Sequence, residues 1–551
     1  MNKFLRIGAL ALAIGSFSAV NAADIIVTDS GSGTGTTTWT SDNVYFLDGF
    51  VFVNSGQVLT IQAGTVIKGM PGTGADASAL VVARGGQLFA QGTAAAPIIF
   101  TAESDPLDGS LPFDSRGLWG GLIVLGDAQL NSTPGETQIE GIPETEPRGL
   151  YGGSNNADNS GTITYISIRH GGTDIGAGNE INGLTLGGVG SGTIFDYIEV
   201  VSNADDGIEF FGGVPQVKHA AVAFCGDDSF DYDEGFRGKG QFWFTIQDAA
   251  GGEGDRGGEH DGGTDPEDGN PFATPTIYNA TYIGRGLSAG NRALTFRDNA
   301  GGSYNNSIFA NWARGIDVEN LASGEDSYAR FIAGDLNFNN NCFYDVVSAG
   351  TGATASDLFK IAMGSGWASP ADSTSALTSS NAALQASFAS NGNEVANPGI
   401  EINLAEGTNG LIPVPTNDVS ASPSSDSWFT AAGYKGAFDP SENCTWLTGW
   451  SFLDQRGFLG CANSIEELAI ETQLNVMPNP SNGTFEISMD TDLTNGSIEI
   501  VDLTGRVIFS KNINLLSAGS RMQVELDAPT GIYLLQVRQL NNLRTTRIVV
   551  R

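Results

Sequence analysis

Basic residues are scarce. Lys and Arg number 26 against 62 Asp and Glu, giving a formal net charge of −36 across 551 residues. So acidic a surface repels nucleic acid and anionic lipid, and the basic stripe that nucleic-acid binding requires is missing. Charged residues of either sign make up only 16% of the chain, below the usual quarter or about 25%, so Thr, Ser, Asn and Gly supply much of the polarity. Histidine occurs three times and cysteine four times, with no CxxC and no Cys/His cluster, which leaves zinc and thiol redox chemistry without ligands. GxSxG, HExxH and phosphate-loop motifs are absent. Beyond residue 20 no apolar run reaches the roughly 20 residues of a membrane-spanning helix. Long amphipathic helices are missing as well, and only Asn381 to Ala389 has a short helical pattern.

What the chain does have is glycine and short apolar phrases. Gly and Pro number 75 and 20, yet 40% of residues are hydrophobic, a pairing that excludes simple disorder and favours short strands joined by tight turns. Lys3 and Arg6, the apolar stretch Ile7 to Val20 and the small residues around Ala22 form the pattern of a secretory signal peptide over residues 1–22. In an exported chain cysteines can pair. Cys444 and Cys461, 17 apart in Gly- and Trp-rich sequence, are expected to form a disulfide, whereas Cys225 and Cys342 each follow an apparent strand and suit buried free thiols equally well.

Self-comparison reveals a repeat. Asp205-Asp-Gly-Ile-Glu-Phe210 recurs as Asp227-Asp-Ser-Phe-Asp-Tyr232, and Asn291-Arg-Ala-Leu-Thr-Phe296 recurs as Ala313-Arg-Gly-Ile-Asp-Val318, both at an offset of 22. Asp255 to Glu259 fits the same frame without its apolar partner. One apolar-polar-apolar strand per turn at such a period is the mark of a β-solenoid. Ile208, Phe210, Phe230 and Tyr232 are then core. Rungs are expected from about Tyr45, with the preceding residues from 23 onward capping an otherwise unpaired edge. The repeat degrades after Val346, so residues 23–345 are expected to form the solenoid and 346–465 its looser terminal rungs or cap. Most of the 30 Phe should stack in the core. Trp119, Trp243 and Trp312 are candidates for outward sugar platforms, with the core the expected place for two of the three.

These repeats resemble a right-handed parallel β-helix, and the handedness comes from the resemblance alone. Trp119-Gly-Gly-Leu-Ile-Val124, Asp205 to Gly213, Asp227 to Asp231 and Tyr434-Lys-Gly-Ala-Phe438 are similar to a family of exported bacterial β-helix proteins, a likeness that implies the fold and no activity. After Ile465 the composition changes, and a linker at 466–473 leads to a second pattern. Val476-Met-Pro-Asn-Pro480-Ser-Asn-Gly483, Gly496 to Ile500, Gly505 to Phe509, Gly531 to Val537 and Arg547 to Arg551 resemble the type A sorting domain of the bacterial type IX secretion system, a small β-sandwich. That resemblance, over 474–551, implies export across the outer membrane and removal of the domain by a sortase-like peptidase. Release, or attachment to surface lipopolysaccharide, would follow. The expected location is secreted or on the outer cell surface, with the secretion machinery as partner.

Stacked repeats put equivalent residues in columns. One turn column is Asp205, Asp227, Asp255, Asn291, and the next is Asp206, Asp228, Arg256, Arg292, Arg314. The outward strand column is Glu209, Asp231, Glu259, Thr295, Asp317. Carboxylates about 5 Å apart repel, so they raise one another's pKa or recruit a cation. Ca²⁺ is the cation whose oxygen-rich coordination Asp205, Asp206, Asp227, Asp228 and Asp255 could supply. The plainer role is capping tight turns and pairing with the arginines. The outward residues Glu209, Asp231, Glu259 and Asp317, with Arg292 and Arg314, are candidate ligand contacts. The acidic stretch Gly251 to Asn270, with seven Asp/Glu, is expected as a loop that stays free or folds over the ladder.

An enzyme remains the alternative. Asp206, Asp228 and Asp227 could provide a hydrolase with its acid and base. Twin Asp residues on adjacent turns loosely resemble the polygalacturonase arrangement, although that family's Gly-His-Gly and Arg-Ile-Lys motifs are absent. A lyase would need Ca²⁺ and a proton acceptor such as Arg256. His170, His219 and His260 add little, although Glu259-His260-Asp261 lies in the acidic stretch. The leading expectation is a secreted surface β-helix with a binding or structural role, adhesin-like and glycan-contacting; the alternative is a lyase or glycoside hydrolase of acidic polysaccharide. A desolvated, convergent carboxylate cluster in a groove would favour the enzyme, and a flat solvated ladder would favour binding.

Overall fold

The computed structural model describes residues 23–462 and 474–550, except 144, 177–178, 249–251, 480, 490–491, 503–505, 527, 530 and 540–541. The signal peptide at 1–22 and the linker at 466–473 lie outside the described residues. The chain divides into two compact units between Ala462 and Asn463.

The first unit is a parallel solenoid built on one sheet of 18 strands and another of ten. One turn explains the arrangement. Ile194–Val201 lies on the larger sheet, Ile208–Phe211 on the smaller, and Gln216–Ala223 returns to pair in parallel with Ile194–Val201. The ten-stranded sheet consists of β1 (Phe50–Val53), β2 (Ala79–Val82), β3 (Leu122–Leu125), β4 (Leu184–Gly187), β5 (Ile208–Phe211), β6 (Phe230–Asp233), β7 (Arg256–Asp261), β8 (Arg292–Arg297), β9 (Arg314–Asn320) and β10 (Phe359–Met363). Each pairs in parallel with the next. Side chains alternate across a strand, so Ile208, Phe210, Phe230 and Tyr232 turn inward and are buried in one continuous core. Trp119, Trp243 and Trp312 are buried in that core too, so none of the three is an outward platform.

The long strands of the larger sheet bend at a fixed position. Tyr165, Tyr197, His219 and Phe242 occupy it with φ of 49°, 56°, 46° and 59°, a left-handed conformation that costs bulky residues energy. Their rings stack at centroid distances of 4.2, 4.3 and 4.9 Å, and this contact offsets the backbone strain. In the next three turns Asn279, Asn306 and Asn340 take over with φ of 52–56°, as suits a residue that tolerates this region.

Three expectations change. Rungs begin at Ala23, not near Tyr45, because Ala23–Thr28 pairs in parallel with Asn43–Asp48 and Thr37–Trp39 with Val58–Ile61; the supposed cap is itself the first turn. Part of the acidic stretch is a rung, since β7 supplies Gly258 and His260 opposite Phe230 and Tyr232. The rungs expected beyond 346 are few and stop early, and a cap takes their place up to 462. β10 and Glu394–Val395 are the last additions to the two sheets. Between them Pro370–Ser390 forms a helix of 21 residues, longer than the expected 381–389, started by the Ser369 cap on the N–H of Asp372. Its Leu384 and Phe388 close the core end against Phe343 and Phe359. From 396 to 462 the chain then runs back as a strap along the outside of the larger sheet. Trp450, Phe452, Leu453 and Phe458 of the strap are buried against Val201, Phe224 and Phe244. Outward apolar residues on these turns demand such a cover, and the strap is what supplies it. Cys444 and Cys461 are joined by a disulfide within it, while Cys225 and Cys342 are buried free thiols.

The second unit contains an antiparallel sheet of Leu474–Met477, Thr484–Met489 and Arg521–Glu525. A second sheet is formed by Val507–Leu516, Leu493–Asp502, Gly531–Gln539 and Asn542–Val550. Phe485, Ile487, Ile498, Val524, Leu535 and Ile548 form their common core, which makes a small β-sandwich.

Candidate functional site

The outward face of the ten-stranded sheet changes character along its length. Register places Phe52, Val81, Ile123 and Thr185 in one column on β1–β4. The three apolar members are buried beneath Leu130, Ile139, Ile142 and Tyr151 from the connection that follows β3. Ser132 and Tyr151 donate to the carboxylate of Glu234 at 2.8 and 2.5 Å, clasping that connection onto the turn after β6. From β5 onward the column is Glu209, Asp231, Glu259, Thr295, Asp317 and Lys360. The spacing of the repeat therefore places the predicted ligand residues side by side.

The twin-Asp columns are built into the framework. Asp206 is only 7% exposed and Asp228 only 1%. Asp206 Oδ1 accepts the N–H of Asp228 at 2.9 Å, and Asp228 Oδ1 accepts the N–H of Arg256 at 2.5 Å. Each side chain thus ties one turn to the next. Arg256 Nη1 lies 3.0 Å from Asp228, 2.9 Å from Asp255 and 3.0 Å from Glu259. Burial works against the guanidinium charge, but these carboxylates more than offset it and raise the Arg256 pKa. Arg292 is paired with Asp317, and Arg297 with both Glu259 and Asp261. Arg314 makes no ion pair among the described residues and stands exposed.

Charge crowding is severe on β5 and β6. Burial, and then the neighbouring Asp231 and Asp228, push the Asp206 carboxyl well above its usual range; burial and Asp206 do the same to Glu209. Asp231 rises through burial and Glu209, and Asp228 through burial and Glu259. At the turn, Asp205 is pushed up to about 7 by burial and by Glu180, Asp227 and Glu140. Candidate donor oxygens of Asp205/Asp206/Asp227, of Asp206/Glu209/Asp231 and of Asp227/Asp228/Asp255 lie within 4.8 Å of one another in each trio. Hard oxygens of this kind suit Ca²⁺. The third trio, however, already has a cation in the Arg256 guanidinium. In the second, Asn182 donates to Glu209, and Asp231 Oδ1 is buried without a hydrogen bond.

Sequence reasoning missed several members. Glu140 and Glu180 enter from connections far from the repeat and act on Asp205. Arg297 and Asp261 sit at the ends of β8 and β7, one position beyond the aligned motif. Lys360 extends the column on β10, where the repeat is too eroded to align. His260 belongs to the core: it is wholly buried, stacks on Tyr232 at 4.1 Å, and burial lowers its pKa to about 3, so it stays neutral. The acidic stretch divides about β7: Gly254 and Asp255 donate their N–H groups to Gly226 O and Asp227 O beside the ladder, whereas the residues after β7 pack at the opposite strand ends, where Asn131 donates to Gly262 O and Thr264 reaches Asp233. At the β8–β10 end, Arg292, Arg314, Asp317 and Lys360 line a cavity of about 320 Å³.

Two stretches of the sequence match known families. Residues 31–400 match the family described as a pectate-lyase-like β-helix domain, and residues 475–551 match the secretion-system C-terminal sorting domain. No curated protein matches the chain.

Proposed function

The chain belongs to the pectate-lyase-like β-helix domain family and ends in a secretion-system sorting domain, and from that premise we propose that the exported solenoid is an adhesin-like binding protein whose ten-stranded face contacts acidic glycan. The sorting domain directs the chain through the type IX machinery to the outer cell surface or the medium. Trimming by a sortase-like peptidase and anchoring on lipopolysaccharide belong to the proposal.

The observation that carries the glycan reading is the cavity at β8–β10. Three cations, Arg292, Arg314 and Lys360, meet two carboxylates, Asp317 and Asp357, there, an excess of positive charge on a chain of net charge −36. Arg314 and Lys360 have no ion-pair partner among the described residues, so a carboxylate or sulfate can be held without breaking an existing pair. Burial and convergence on β5–β7 favour chemistry, but the bonding there does not. Asp206 and Asp228 are occupied with backbone N–H groups, and Arg256 is held by three carboxylates. Ca²⁺ enters this reading as a structural ion at Asp206, Glu209 and Asp231, with which no Lys or Arg forms an ion pair among the described residues.

The test is binding of polygalacturonate by the full chain, measured by calorimetry at low and high salt. The double variant Arg314→Ala/Lys360→Ala is expected to weaken it about a hundredfold, since each lost charged contact is worth about 1.5 kcal/mol. Absence of binding, or equal binding by the variant, overturns the reading. A specific feature favours the enzymatic alternative: Asp205, with a pKa of about 7 beside Asp227, is poised to give or take a proton at neutral pH. A rise in 235 nm absorbance or in reducing ends during the same incubation would make the chain a lyase or a hydrolase.

A further inference from the structure

Away from the acidic face, strap and solenoid enclose a cleft of about 390 Å³. The rings open to it are those of Tyr434 and Trp446 from the strap, both half-buried, and they are backed by the buried Phe438 and by Phe242 of the bend column. Trp446 Nε1 donates to Ala437 O at 3.1 Å, which fixes the indole. The ring meets His219 edge-on, with centroids 5.3 Å apart. The disulfide Cys444–Cys461 closes the strap segment that carries Trp446. Glu199, buried under the strap, accepts the N–H groups of Phe452 and Leu453 at 2.8 and 3.3 Å. The walls are therefore held in place before any ligand arrives.

The polar groups at this cleft have capacity to spare. His219 Nδ1 pairs with Asp196 at 2.7 Å, while its Nε2 makes no hydrogen bond among the described residues. The Tyr434 hydroxyl makes none either. Asp439 Oδ1 accepts from the N–H and hydroxyl of Ser441, leaving Oδ2 open. Glu442 is exposed at the same cleft.

We propose that this cleft is a second glycan site, selective for a neutral hexopyranose. Flat aromatic walls with a few placed polar groups form the usual small-ligand site. The apolar C–H face of a pyranose fits such walls, and its hydroxyls can donate to Asp439 and Glu442 and exchange hydrogen bonds with Tyr434 and His219. The two carboxylates repel uronate and sulfate, so the cleft selects against the ligands that the β8–β10 cavity would take. The proposal is independent of the acidic-glycan reading, and either can fail alone.

The experiment uses the full chain with linear tetraoses of glucose, galactose and mannose as probes and tetragalacturonate as the charged comparison, followed by calorimetry and tryptophan fluorescence. At least one neutral tetraose is expected to saturate the protein and quench its fluorescence. Tyr434→Phe, which keeps the ring and its packing, is expected to weaken that tetraose about fivefold, and Asp439→Asn about tenfold. Tetragalacturonate affinity should stay unchanged in both variants. No neutral tetraose bound at millimolar concentration overturns the proposal, as does equal affinity in wild type and both variants. A loss confined to tetragalacturonate overturns it too.

Discussion

Two columns of stacked side chains run along this solenoid, and they solve opposite problems. On the ten-stranded sheet, repetition brings Asp206, Asp228 and Arg256 together, and the like charges would repel. The cluster holds because each Asp accepts the next turn's N–H and Arg256 bridges three carboxylates. Along the bend of the larger sheet, repetition brings Tyr165, Tyr197, His219 and Phe242 together at left-handed φ. There the backbone is strained and the side chains attract, with stacking distances of 4.2–4.9 Å. The same stacking of turns thus gives a column held by hydrogen bonds against its own charge and a column held by ring contact against its own backbone. The first is completed within its own turns; the second needs a cover brought back by the strap.

The sharpest way to break the symmetry is Asp228→Ala. It takes from Arg256 the most buried of its three carboxylate partners, leaving Asp255 and Glu259, and strips one N–H of its acceptor; the lost charged contact and the unsatisfied donor together cost about 3 kcal/mol or more. Urea unfolding of the full chain is expected to show this loss in the solenoid transition. A loss below about 1 kcal/mol would mean that the acidic column contributes nothing to holding the turns together. Next in size is Cys444→Ser, which opens a loop of 17 residues worth about 3 kcal/mol in the chain-entropy account. Here the expected effect falls on the strap alone: faster hydrogen exchange in 444–461 and at Phe242 and Phe244, with protection of β5–β9 unchanged. Loss of protection on both sheets would show that the strap and the acidic column are one cooperative unit.

The two columns differ as much in how legible they are. The acidic one lies in the phrase Asp-Asp-Gly-Ile-Glu-Phe, which returns after 22 residues and then in altered form after 28, 36 and 22; the shared order of polar and apolar types, more than the interval, sets register, inward residues and column membership without a structure. The bend column recurs at intervals of 32, 22 and 23 residues between Tyr165, Tyr197, His219 and Phe242, because connections of different length intervene. No fixed period reveals it. Its last positions change to Asn, so residue type does not mark it either. The strap was illegible for a further reason: its partners lie some 200 residues upstream, and a stretch rich in Ala, Ser and Thr gives no periodicity to read. The helix Pro370–Ser390 was half visible for the same cause, since weakly apolar residues form a helix while hiding which face is buried. The acidic face was legible in membership and not in bonding. Spacing placed Asp228 beside Arg256, but only the structure assigns its oxygens to a backbone N–H and a guanidinium.

Proton linkage separates the columns with the smallest expected effect. Asp205 and Asp298 are pushed up to about 7, in both cases first by burial and then by neighbouring carboxylates, whereas an unfolded Asp ionises near 4. Between these values the folded chain holds protons that the unfolded chain has lost, so stability falls as pH rises through the window. His260 acts in the opposite sense: its pKa is lowered to about 3, so it costs stability as pH falls below the unfolded histidine value of about 6.5. From pH 6.5 to 8.0 the histidine contributes little and the carboxylates dominate. In EDTA the solenoid is therefore expected to lose on the order of 1 kcal/mol over this range, carried mainly by Asp205 because solvent screens the partly exposed Asp298, and Asp205→Asn should remove most of the slope. Tyr197→Phe, a change in the bend column, should leave the slope intact. If Ca²⁺ occupies the carboxylate trio of β5 and β6, adding it at pH 8.0 restores the lost stability while adding it at pH 6.5 does less, because protons then compete for the same oxygens. A flat or rising stability between pH 6.5 and 8.0 in EDTA would mean that the acidic column is fully ionised and held by arginine alone. The contrast between the columns would then reduce to hydrogen bonds against ring stacking, with no charge left to offset.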